Sequence, residues 1–227
     1  MLLLLRLLAH TRIERIDVIP PSGAVLVVSN HLHNVDPVMT VAAFPRSIHY
    51  MAKKEAYNVP GLKQLMKLVG AFPVDRGKAD RNAIRRAEGA LAQGIPVGMF
   101  PEGTRSTTRS LQRGHTGAGM LALKSGVPVV PLVITGSERL PFNGKKGKIS
   151  AGTKMPERGH EGVKLLFGDP FVIPKTIGEQ KISSDEATEI IMVEIARLLP
   201  PDYRGVYADA LTNETTRRAI AWTANKA

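Results

Sequence analysis

Along most of the chain, short apolar runs rich in β-branched residues alternate with stretches whose apolar positions recur at helical spacing. That alternation is the pattern of an α/β domain, a sheet covered by the helices that connect its strands. Strands are expected at 24–29, 47–52, 71–74, 96–100, 129–135 and 163–167. Among the helices, 62–69 sets Leu62, Leu65, Met66 and Val69 on one face, with Lys63 and Lys67 elsewhere on the wheel. In 80–93, Ile84, Ala87 and Leu91 repeat that spacing and Gly94 ends it. Ser183 and Glu186 form a capping-box pair that opens a helix to Leu199, where Pro200-Pro201 stops it. A last helix is expected at about 208–224, and residues 143–160, rich in Gly and Lys without a period, read as a basic loop. No linker divides the chain, so a single mixed sheet flanked by helices is expected over residues 12–227, after a short N-terminal segment at 1–11.

Residues 1–9 are the most apolar stretch, leucine-rich with Arg6 as the only charged side chain. At about 1.5 Å per residue they reach about 13 Å against roughly 30 Å of hydrocarbon, too little to span a bilayer. They also make a poor signal peptide, with no basic region ahead of the leucines and no small-residue cleavage site behind. Two placements stay open: a short helix in a membrane interface, or a helix packed on the domain's own core. The interfacial helix is the expectation, because leucine lies on all its sides and one core groove cannot cover them.

The formal net charge is +11, and the stretch from Arg46 to Arg113 alone carries +8 of it. Such a concentration attracts a polyanion or an anionic lipid surface. Nucleic acid is not expected, since only 5% of residues are aromatic and no stacking motif or basic recognition helix occurs. The chain has no cysteine, which excludes disulfide scaffolds, thiolate zinc sites and a Cys nucleophile.

Residues 25–37 read Val-Leu-Val-Val-Ser-Asn-His-Leu-His-Asn-Val-Asp-Pro, a buried strand running into polar residues. Function in α/β folds sits at such carboxyl ends. Asp36-Pro37 reads as a helix start, with Asp36 as N-cap and Pro37 as the first helical residue, leaving His31 in the turn before it. Across a strand-turn-helix, His31 can fold back on Asp36, whereas five residues of continuous helix turn by about 500° and part the side chains. The carboxylate would hold one ring nitrogen and leave the other as a general base. The same residues also suit a capping aspartate beside an ordinary turn histidine. A metal site at His31 and His33 is not expected, because the H-x-H-x-D-H pattern fails where Val35 follows Asn34 and Pro37 follows Asp36.

Phe100-Pro-Glu-Gly-Thr-Arg-Ser106 follows a strand and gathers a carboxylate, a guanidinium and hydroxyls around a glycine. Arginine suits paired phosphate contacts and turn amides add donors. Asp75-Arg76 ends another strand in the same way. Each segment alone also reads as a surface ion pair. No G-x-S-x-G elbow, Walker loop or dinucleotide fingerprint occurs.

Taken as an ordered set, these segments resemble the motifs of the glycerolipid acyltransferase family, typified by the 1-acylglycerol-3-phosphate (lysophosphatidic acid) acyltransferases. Asn30-His31 with Asp36 is similar to its H-x-x-x-x-D motif, and Val59-Pro-Gly-Leu62 through Gly70–Arg76 to its second block. Residues 100–106 are similar to the third block and Val127-Pro-Val-Val-Pro131 to the fourth. The set covers residues 30–132 in the family's order, with weaker similarity to about Asp169. His115 departs from the pattern, since many members have other residues after that glycine, and the N-terminus is shorter than in members with membrane-spanning helices.

The resemblance implies a glycerol-phosphate acyltransferase-like α/β fold. It also implies transfer of a fatty acyl group from acyl-CoA or acyl carrier protein to the sn-2 hydroxyl of lysophosphatidic acid, giving phosphatidic acid. His31 would be the base and Asp36 its partner. Arg76, Glu102, Gly103, Thr104 and Arg105 would form the glycerophosphate-binding group, and Pro131 would shape the acyl pocket. No protein nucleophile, metal or cofactor beyond the thioester co-substrate is expected. The implied partners are a lysophospholipid acceptor, the acyl donor and an anionic membrane surface, with peripheral attachment on the cytoplasmic face of the cell membrane. The alternatives are acylation of another lysophospholipid or a glycolipid, and a non-catalytic membrane-binding relative, against which the intact His31 and Asp36 weigh.

Overall fold

The computed structural model describes residues 10–53, 72–74, 81–140, 143 and 162–210. Among these, one sheet is built from β1 (Arg12–Glu14), β2 (Leu26–Ser29), β3 (His49–Lys53), β4 (Phe72–Val74), β5 (Val97–Met99), β6 (Val129–Thr135) and β7 (Lys164–Phe167). The order across the sheet is β1-β7-β6-β2-β5-β3-β4. All neighbours are parallel except β6 and β7, so β1 and β7 run against the other five strands. Four α-helices of the described residues accompany it: α1 (Asp36–Ala43), α2 (Arg81–Ala92), α3 (Gly117–Ser125) and α4 (Ser184–Leu198). The expected mixed sheet flanked by helices is therefore present, and no helix of the described residues is long and apolar enough to cross a membrane.

Strand β2 lies between β6 and β5 and is buried on both faces, which explains its unbroken apolar run. Leu26 and Val28 enter a core with Ala87 and Leu91 of α2, Leu121 of α3 and Ile191 and Ile195 of α4. Val25 and Val27 face the opposite layer, where Met39 and Ala43 of α1 pack with Val130, Leu132 and Ile134 of β6. Burying both faces leaves β2 a single exit for functional residues, its carboxyl end at Ser29.

All six expected strands form, with bounds shifted by no more than two residues, and α2 fills the expected 80–93. The capping box at α4 has both arms: Ser183 Oγ accepts from the Glu186 amide at 3.2 Å, and the Glu186 carboxylate accepts from the Ser183 amide at 2.8 Å. Helix α3 was not expected, because its first turn, Gly117-Ala-Gly119, carries little helical signal. Its glycine answers to a neighbour: a Cβ at Gly119 would stand 2.3 Å from the Ser184 carbonyl oxygen and 2.6 Å from the Thr188 nitrogen of α4. Strand β1 and a small hairpin, β8 (Thr176–Ile177) with β9 (Gln180–Lys181), are further additions.

The expected helix at 62–69 and the N-terminal stretch 1–9 lie outside the described residues. Of the expected last helix, residues 208–210 form a turn and 211–224 lie outside.

Candidate active site

The site begins where β2 leaves the sheet. Asn30 stays tied to β6 by both ends of its carboxamide, donating from Nδ2 to the Ile134 carbonyl and accepting from the Ile134 amide, each at 2.8 Å. The next residue, His31, is buried with its ring stacked on Phe100, centroids 4.0 Å apart and planes 16° from parallel. Its main chain is held on both sides by the segment after β5. The His31 amide donates to Glu102 Oε1 at 2.8 Å, and its carbonyl accepts from the Ser106 amide at 2.8 Å.

The chain then turns into α1, and His31 Nδ1 meets Asp36 Oδ2 at 2.9 Å. The same oxygen accepts from the Leu32 and His33 amides, both at 2.7 Å. A carboxylate oxygen can only accept, so Nδ1 carries the shared proton and the lone pair of the neutral ring is on Nε2. Asp36 is therefore not the N-cap that the Asp-Pro pair suggests. It is the first residue of α1, with Val35 at the cap, because its carboxylate reaches back to the turn amides and to His31 instead of forward into the helix. His33 is likewise committed locally, its Nδ1 accepting from the Val35 amide at 3.1 Å. Among the described residues no group of His, Asp and Glu is arranged to hold a metal ion.

Glu102 lies beneath the turn. It is 2% exposed, and its second oxygen accepts from the Gln112 amide at 2.9 Å. Burial pushes its pKa up to about 8 against the pull of the two amides, and the Asp36 charge adds to the rise. Both oxygens thus face main-chain donors, which makes Glu102 a brace for the His31 peptide. Gly103 follows at φ +65, and a Cβ there would also meet the His115 ring at 2.8 Å. Thr104 is exposed and Arg105 half-buried. Burial draws the Arg105 pKa down while the Asp36 charge pulls it up, so guanidinium and dyad share one field.

Arg105 Nη1 donates to the Asn143 side-chain oxygen at 2.7 Å and to the Asn143 carbonyl. Asn143 opens the stretch that reads as a basic loop, and no local pattern marks it, since its partners lie 38 to 111 residues away. The far end of the third-block segment is anchored by Arg109, which sits over the Tyr203 ring at 4.6 Å and pairs with Asp202 at 2.7 Å. Tyr203 in turn donates to Glu138 Oε1 at 2.7 Å. Pro131 is placed inside the sheet, buried on β6 and in register with Val28 of β2. Arg76 lies outside the described residues. His31, Asp36, Glu102, Gly103 and Arg105 are thus brought together at the carboxyl ends of β2 and β5, as the switch-point geometry of open α/β sheets leads one to expect.

The chain is similar to known proteins in sequence and in fold. A probable 1-acyl-sn-glycerol-3-phosphate acyltransferase of Mycoplasma pneumoniae is 29% identical over 78% of this chain and 66% of its own. The 1-acyl-sn-glycerol-3-phosphate acyltransferase of Bacillus subtilis is 30% identical over 67% of this chain and 69% of its own. The chain spans between 57% and 66% of the length of relatives from two Mycoplasma species and Chlamydomonas reinhardtii. In fold it is similar to the crystal structure of the 1-acyl-sn-glycerophosphate (LPA) acyltransferase of Thermotoga maritima, with a TM-score of 0.59 at 24% identity, covering 83% of this chain and 71% of that one. The model of the acyltransferase family matches residues 10–135, more than half of the sequence and all of the dyad and third-block residues above, and the chain belongs to that family.

Proposed function

We propose that the protein transfers a fatty acyl group from acyl-CoA or acyl carrier protein to the sn-2 hydroxyl of lysophosphatidic acid, yielding phosphatidic acid for phospholipid synthesis. The observation that carries the reading is the buried His31–Asp36 pair, whose carboxylate fixes the tautomer that leaves Nε2 basic. Nε2 takes the proton of the acceptor hydroxyl as its oxygen attacks the thioester carbonyl carbon. The imidazolium so formed is stabilised by Asp36 and returns the proton to sulfur as the carbon–sulfur bond breaks. No covalent acyl-enzyme is needed, and general base assistance of this kind contributes about 10²–10⁴ in rate.

In this reading Arg76, Gly103, Thr104 and Arg105 take the acceptor's phosphate, Glu102 supports them from below by holding the His31 peptide, and Pro131 shapes the acyl pocket. The names of the Mycoplasma and Bacillus relatives support the choice of acceptor. Acceptor and product are lipids, so the enzyme works at a membrane surface, attached peripherally on the cytoplasmic face through residues 1–9 and the basic charge between Arg46 and Arg113.

The test is release of free thiol from palmitoyl-CoA, followed with and without lysophosphatidic acid. Thiol release that depends on the acceptor and is matched by phosphatidic acid formation is expected. Stronger turnover of a lysophospholipid with another headgroup, or none with any acceptor, would overturn the reading.

A further inference from the structure

Asn143 joins the two halves of the site. Its side-chain oxygen accepts from the Asn34 amide at 3.1 Å and from Arg105 Nη1 at 2.7 Å, while its Nδ2 donates to the Leu32 carbonyl at 2.8 Å. Its main-chain carbonyl accepts from Arg105 Nη1 and, at 3.4 Å, from Asn34 Nδ2. The peptides of Leu32 and His33 are the ones whose amides hold Asp36 from the inside of the turn. Asn143 grips the same turn from the outside and fastens the guanidinium to it.

We propose that Asn143 is a positioning residue for acceptor recognition: it aligns the Arg105 guanidinium with the His31–Asp36 turn, so that a phosphate held by Arg105 brings the acceptor hydroxyl to the base. The proposal rests on the reading of Arg105 as a phosphate contact. Chemistry favours it over a purely structural role. Nη1 is one end of a five-donor fork, and tying it to two Asn143 oxygens leaves the remaining donors of Arg105 at a set angle for a tetrahedral anion. A guanidinium without that tie has several rotamers to lose before it can bind, and the loss would be felt by the acceptor and not by the thioester.

The experiment is a double-mutant cycle on the full chain, reading kcat and KM for lysophosphatidic acid and KM for palmitoyl-CoA in Asn143→Ala, Arg105→Ala and the pair together. Asn143→Ala should raise the acceptor KM about tenfold, the size expected for loss of a hydrogen bond to a charged group, and leave the donor KM within about twofold. In the Arg105→Ala background the same change should add less than about twofold, because its route of action is gone. Asn143→Ser, a smaller truncation, serves the same cycle should the alanine variant fail to fold. An effect of undiminished size in the Arg105→Ala background, or an equal fall in kcat with the acceptor KM unmoved, would overturn the proposal. An acceptor KM unchanged by Arg105→Ala itself would instead remove the phosphate reading on which it rests.

Discussion

Five residues apart in sequence, His31 and Asp36 meet through Nδ1 and Oδ2 at 2.9 Å with both side chains buried. Because the same Asp36 oxygen holds the Leu32 and His33 amides, the orientation of the imidazole and the shape of the turn are one structural element. Glu102 fastens that element to the segment after β5, and Asn30 fastens it to β6. His31 is thus held by three strands' worth of backbone, the rigid support that the proposed proton acceptor needs.

Arg105→Lys should raise the KM for lysophosphatidic acid about tenfold with a smaller effect on kcat, since a point ammonium cannot both keep the tie to Asn143 and present paired donors. Steady-state kinetics against lysophosphatidic acid checks this. An unchanged KM, or equal activity on monoacylglycerol, would count against Arg105 as the phosphate contact.

Glu102 makes folding stability depend on pH. Its pKa is near 4.5 in the unfolded chain and about 8 in the fold, so between those values the folded protein binds the extra proton. Stability from this group is therefore fully present below about pH 4.5 and is lost as pH rises towards 8. Glu102→Gln lacks the titration. The melting temperature of the wild type relative to that variant should fall between pH 5 and pH 8, and a difference that stays constant over the range would show that Glu102 does not titrate there.

Gly119→Ala should destabilise the fold by about 1–3 kcal/mol, the usual cost of forcing extra volume into a packed contact. The Cβ would press on the Ser184 carbonyl and the Thr188 amide, main-chain atoms that cannot rotate away. Chemical denaturation would measure the loss. A variant as stable as the wild type would mean that α3 and α4 can separate at little cost.

The fate of α3 shows what local sequence carries and what it does not. β2, α2 and α4 were legible because burial and capping leave marks within a few residues: an apolar run, a helical spacing, a Ser-x-x-Glu box. α3 was not, since Gly119 is required by a helix nearly seventy residues later and weakens the local helical signal that would announce it. A mixed sheet is expected, but strand direction leaves no local mark, so which strands reverse, β1 and β7, is not legible in the sequence. At the site, spacing permitted the fold-back of His31 on Asp36 but suited a capping aspartate equally well, and the family resemblance decided between them. The commitment of Glu102 to two main-chain amides did not, because Pro101-Glu102-Gly103 reads equally well as an exposed turn tip. Asn143 left no mark at all, its role arising only from contacts across the fold.

Membrane contact is expected to depend on residues 2–9, the leucine-rich stretch ahead of the described residues, acting together with basic charge. Flotation with anionic vesicles should recover the full chain and lose much of it when those residues are deleted, with binding that weakens in salt. Equal recovery of both forms would rule out an N-terminal anchor.

Turnover of His31→Ala is the most direct test of His31 as the base. With lysophosphatidic acid and palmitoyl-CoA saturating, kcat should fall by about 10²-fold or more while the melting transition is retained. Near-normal turnover from a folded His31→Ala protein would contradict the account.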